Sequence, residues 1–238
     1  MDKLVLAKYG VEPSIEICEN NFFVLSIENK AFLFKTLLEF RAQLENGEEG
    51  GFNLLLNDKP LSIAKSAAIV FDFTDIDFNS KSITNLLIKK FSEFITSGEQ
   101  LEKLTGLESI VLGMIDDFRD YSGLNIEGGT NLTGANLNKA FSLKISDNKQ
   151  SLLERLCEYV NLLCDLKPLK LFILVFAGAF LSEQDIDSLY RHCSDYAVRL
   201  LLIGGELTKQ PSKNERRLII DRDFCTICQG DWGEQNKN

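Results

Sequence analysis

The chain has 238 residues, 45% of them hydrophobic and 26% charged, with a net charge of −9 and a pI near 4.8. That balance fits an ordinary globular protein of one large domain or two smaller ones, and argues against nucleic-acid binding spread over its whole surface. The longest apolar run, residues 171–181, is too short to span a bilayer, and no basic-then-apolar leader opens the chain, so a cytoplasmic protein with six reduced cysteines is expected.

In chain order, residues 4–6 and 15–17 are short apolar pieces split by Gly10 and Pro13, and read as edge strands. Residues 22–27 form a better strand. A helix follows over 31–45, with Phe34, Leu37, Leu38 and Arg41 at helical spacing. Gly47 to Gly51 is a turn. Residues 52–56 and 67–73 read as further strands, with Asp58-Lys59-Pro60 as the turn between them.

From Asn79 the period changes. Ser80 or Ser82 can cap a helix carrying Ile83, Leu86, Leu87, Phe91, Phe94 and Ile95, which Gly98 ends. A second helix runs over 99–121 with Ile110, Val111, Met114, Ile115 and Phe118 on one side. Residues 122–136 are polar and Gly-rich and read as a loop, while 137–145 are ambiguous. A third helix covers 149–165. The sequence thus predicts an α/β protein with a largely parallel sheet, a head of residues 1–78 and 166–238, and a helical insert over 79–165.

The most informative stretch is 169–205. Its apolar run from Leu171 to Phe176 suits a strand buried on both faces. Ala177-Gly178-Ala179 turns, Ser182 and Asp185 stand at capping-box spacing, and Ile186, Leu189, Tyr190, Cys193 and Ala197 repeat helically. A second buried strand, 198–203, ends at Gly204-Gly205. Strand, helix and strand of this length predict a βαβ unit with a right-handed crossover. Two short apolar pieces, 218–220 and 224–227, come next, and the polar tail 230–238 reads as frayed.

Catalytic signals are sparse. The first strand-to-helix turn, Ser26-Ile27-Glu28-Asn29-Lys30-Ala31, lacks the glycines and Lys-Ser/Thr of a phosphate loop. Asp72 ends a strand as a magnesium-holding Asp would, yet any buried strand ending in Asp looks alike. The single histidine, His192, reads as a helix-surface residue, and it rules out a His-rich zinc site. Cys225 and Cys228 form a lone CxxC with no second pair. Asp116, Asp117 and Asp120, with Glu127 beyond, form an acidic cluster. Flexible oxygen donors of that kind suit Ca²⁺, although a solvated acidic face is the better reading on sequence alone. The basic pairs, Lys167 and Lys170 and the Lys213-Arg216-Arg217 group among them, read as surface.

The stretch 169–205, with Gly178-Ala179-Phe180-Leu181-Ser182 at its turn, resembles the matching segment of the Csn-two family, the CRISPR-associated proteins of type II-A systems. The order of elements is similar over nearly the whole chain. The resemblance implies a head distantly like P-loop and SMC-type ATPases without a working phosphate loop, and an inserted helical leg. It further implies a ring-shaped homotetramer that binds linear duplex DNA ends through a basic central hole. It also implies calcium held by leg carboxylates, and action in spacer acquisition beside two integrase proteins and the effector nuclease. The calcium candidates are Asp116, Asp117, Asp120 and Glu127; the DNA candidates are Lys81, Lys89, Lys90, Lys139 and Lys144. Contact with phosphate needs only cations, so no base-reading motif is expected. The expected function is therefore non-enzymatic DNA binding. The alternatives are a degenerate NTPase using Asp72 and an acidic scaffold for protein partners.

Overall fold

The apolar runs sort into two sheets. The computed structural model describes residues 3–18, 21–47, 50–146, 151–205 and 211–230. Its elements are β1 (Leu4–Lys8), β2 (Val11–Ile17), β3 (Phe22–Ile27), α1 (Lys30–Asn46), β4 (Phe52–Leu56), β5 (Lys59–Leu61), α2 (Ile63–Ser66), β6 (Ala67–Val70), α3 (Lys81–Ile95), α4 (Gly98–Ser122), α5 (Gly134–Phe141), α6 (Leu152–Leu166), β7 (Leu171–Val175), α7 (Glu183–Asp195), β8 (Arg199–Gly204), β9 (Glu215–Ile220) and β10 (Thr226–Gln229).

The larger sheet has the order β10-β9-β3-β8-β7-β6 and is parallel except for the edge strand β10. Its strands read as continuous apolar runs because both faces are covered. On one face Phe23, Leu25, Ile173 and Leu201 share a core with Leu33 and Phe40 of α1 and with the second sheet. On the other, Phe22 meets Tyr190 of α7 with ring centroids 5.7 Å apart, and Phe172 meets Tyr159 of α6 at 6.3 Å. The second sheet is antiparallel, in the order β2-β1-β4-β5. β1 is therefore an interior strand, not the edge its short apolar run suggested. The turn before β5 is also displaced. Asn57 and Asp58 take φ of 50° and 61°, the left-handed pair a two-residue hairpin requires. Lys59 and Pro60 belong to the strand.

The chain divides into two compact units, Met1–Ile76 with Lys149–Asn238, and Asp77–Asn148. Helix α6, expected with the insert, groups with the first unit. The reason is its apolar stripe: Leu156, Val160 and Leu163 are buried, and its Cys157 carbonyl and Asn161 side chain hold His192 of α7. Both α6 and α7 start on complete capping boxes, Ser151 with Glu154 and Ser182 with Asp185. Hydrogen bonds from each serine's hydroxyl and backbone hold the two carboxyls below their ordinary values of 4.5 and 3.8. A depressed carboxylate contributes stability that is fully present above its unfolded pKa and is lost as pH falls through the folded one. The melting temperature is therefore expected to fall more steeply below pH about 4 in the native chain than in Glu154→Gln/Asp185→Asn. Parallel profiles for the two would show that the caps carry no such linkage.

In the second unit, α5 lies against α3 so closely that a Cβ on Gly134 would stand 2.1 Å from Ser92 Oγ. Asn79 clips the segment after α5: its Nδ2 donates to Ile145 O at 3.0 Å, and Ile145 N donates to its Oδ1 at 2.8 Å. Gly98, expected to end α3, has a φ of 51° and opens α4 instead. The Gly-rich loop is less open than its composition suggests. A Cβ on Gly128 would meet Ile115 of α4 at 3.2 Å, and Thr133 caps α5 through Asn136 N.

Candidate nucleic-acid interface

Lys81, Lys89 and Lys90 all project from α3 and are exposed, as are Lys139 on α5 and Lys144 just beyond it. The Asn79 clip draws Lys144, the neighbour of Ile145, toward the start of α3, where Lys81 stands. At about 100° per residue Lys89 lies roughly 80° around α3 from Lys81, on the same flank, whereas Lys90 lies about 180° away. Lys81, Lys89 and Lys144 can therefore serve one cationic edge, and Lys90 faces elsewhere. Lys89 also approaches Glu93 at 4.0 Å, an exposed pair one turn on, of the kind that contributes little.

The acidic candidates come together only in part. Asp116 Oδ1 accepts from Arg119 Nη1 at 2.8 Å, and Arg119 Nε donates to Ile126 O at 2.8 Å. This guanidinium ties the segment bearing Glu127 to α4. Asp117, Asp120 and Glu127 are exposed. Among the described residues no group of three or more His, Cys, Asp or Glu side chains is placed to hold a metal ion.

Other expectations are revised. Asp72 is engaged in a turn, accepting from Thr74 N at 2.8 Å and Thr74 Oγ1 at 2.6 Å, and these bonds lower its pKa. His192 is not a free surface residue: Nε2 faces Asn161 Oδ1 at 2.7 Å and Cys157 O at 3.2 Å, two acceptors that fix the proton there. Lys167 is half-buried. Its Nζ donates to Ala67 O at 2.6 Å, and burial lowers its pKa to about 8. Arg217 is 5% exposed and ion-paired with Glu215. Cys225 and Cys228 are free and exposed, and Cys225 N donates to Asp221 Oδ1 at 2.8 Å. Sequence reasoning found Ile110, Met114 and Phe118 on one side of α4 but not that the stripe is exposed. Leu107, Ile110, Met114, Phe118 and Tyr121 fall within roughly an 80° arc, are 39% to 89% exposed, and belong to a helix in which no residue is buried. Their spacing is visible in the sequence, but spacing alone leaves open whether such a stripe packs within the insert or on a partner subunit. No helix among the described residues is long and apolar enough to cross a membrane.

These features define an α/β protein with a helical second unit that presents cations and apolar side chains. The family model for CRISPR-associated protein (Cas_Csn2) matches residues 45–224, and the chain belongs to that family. No curated protein matches it. A similar solved structure, described as an ABC transporter (ATP-binding protein) from Pyrococcus furiosus, is 10% identical over 90% of this chain and 96% of that one. Its TM-score of 0.39 adds nothing to the fold described above.

Proposed function

We propose that the protein is a non-enzymatic, sequence-independent binder of duplex DNA ends that acts as a homotetrameric ring in CRISPR spacer acquisition. The observation that carries this reading is α4. A 25-residue helix with no buried residue and a continuous apolar stripe is a surface in want of a partner. A second copy of the same helix supplies one. Assembly by symmetry multiplies the edge of Lys81, Lys89 and Lys144, so that a chain of net charge −9 can still offer duplex DNA a locally positive channel. Calcium enters this reading through Asp116, Asp117, Asp120 and Glu127, with ligands of another subunit completing the site, since no group of three acidic side chains is gathered to hold a metal ion among the described residues. The integrase proteins and the effector nuclease of the same system are the partners it implies, in the cytoplasm.

Native mass together with binding to linear and to circular duplex tests the reading. Tetramers that bind linear duplex and leave closed circles unbound are expected. Ile110→Glu/Met114→Glu is expected to shift the native mass to smaller species and to abolish DNA binding with it. A wild-type monomer, or equal binding to circles, overturns it.

A further inference from the structure

The larger sheet carries a recess unrelated to the lysine edge. Strand β3 runs into α1 on one face and β7 into α7 on the other, with β8 between them. Crevices at such divergences are where α/β proteins hold ligands. On the α7 face, a crevice of about 540 Å³ opens beside the start of that helix, within the range of small-molecule sites. Phe22 and Val24 of β3, Leu202 of β8 and Ile186 of α7 give it apolar walls. Glu215 and Arg217, which register with Phe22 and Val24 across the β9–β3 pair, complete the lining. Both are more than nine-tenths buried and ion-paired to each other.

Two further observations bear on the occupant. Ser212 Oγ, also in the lining, is buried and finds no hydrogen-bond partner among the described residues. Glu183 and Asp187 join Glu215 in the lining, so it carries three carboxylates and one guanidinium. The partial positive charge at the N-terminus of α7, roughly half a unit, leaves that lining negative. An anion would meet net repulsion here, and a wholly apolar molecule would leave Ser212 Oγ unpaired. We infer that the crevice binds a small amphipathic cation: an aromatic or branched aliphatic body against Phe22, Val24 and Leu202, with an amine or guanidine head toward Asp187, Glu183 and Ser212 Oγ.

Three probes that share a phenylethyl body test this on the full chain: 2-phenylethylamine, 2-phenylethanol and 3-phenylpropionate. The amine is expected to raise the melting temperature with concentration, as a ligand of the native state does. The alcohol should do so less, and the carboxylate not at all. Asp187→Asn is expected to weaken amine binding about tenfold. Ala179→Trp, a substitution at an exposed lining position, should abolish the amine response and leave the ligand-free melting temperature near its original value. No response to the amine, an equal response to all three probes, or an amine response unaltered by both substitutions overturns the assignment. DNA binding is unaffected in each case, so this test and that of the ring fail separately.

Discussion

Duplex affinity is expected to fall by about 10³ to 10⁵ between 50 and 200 mM salt if each ring engages six to ten phosphates. The reasoning is electrostatic. The candidates are exposed lysines on two packed helices, α3 and α5, and just beyond α5. Their contribution to binding is then the release of counterions, which scales with the number of phosphates neutralised. Position orders the candidates. Lys81 and Lys144 are held to one place by the Asn79 clip, so Lys81→Ala/Lys144→Ala should lower both affinity and the slope of log K against log salt. Lys90→Ala should change either much less, because it lies on the opposite flank of α3. Fluorescence anisotropy of a labelled linear duplex across a salt series reads both quantities. A slope near zero would remove the electrostatic basis of the proposed function, and an effect of Lys90→Ala as large as that of the double variant would remove the assignment of the edge.

The parts of the fold legible in the sequence are those where local chemistry and burial agree. Strands β3, β7 and β8 are buried on both faces and wrote themselves as unbroken apolar runs. The caps Ser80 and Ser182 each accept from the backbone N–H three residues on, which is the interaction their spacing announces. Illegible features were those decided by distant residues. Gly98 looked like a helix terminator because glycine favours positive φ at either end of a helix; only the packing of the neighbouring helix decides which end. The short strand β1 looked peripheral because burial of Leu4 and Leu6 depends on β4, nearly fifty residues later. Helix α6 carried an apolar stripe like those of α3 and α4, and nothing in the stripe said which unit would cover it. At the candidate site, Asp116, Asp120 and Arg119 were each visible, yet charge counting could not show that Arg119 turns inward to Ile126 O. The Lys213-Arg216-Arg217 group misled in the opposite direction, since a basic run usually faces water while Arg217 faces Glu215 beneath Phe22 and Val24.

Glu215→Ala is expected to destabilise the protein by about 3–5 kcal/mol, the cost of leaving a buried charge without its partner. The magnitude comes from where the pair stands. An exposed pair such as Arg41 with Glu45, whose side chains are 62% and 58% exposed, gains little in high dielectric and is worth up to about 1 kcal/mol. Glu215 and Arg217 are 8% and 6% exposed at their side chains. Their mutual attraction is stronger there, and so is the desolvation that opposes it. Removing one member keeps the desolvation cost of the other and forfeits the attraction. It also deprives Ser212 N of its acceptor, Glu215 Oε2 at 3.0 Å. Removing both with apolar replacements, Glu215→Leu/Arg217→Met, removes the desolvation cost as well, so this double variant is expected to recover most of the loss. Urea midpoints at unchanged m-value measure all three. If Glu215→Ala costs no more than Arg41→Ala, water reaches the pair.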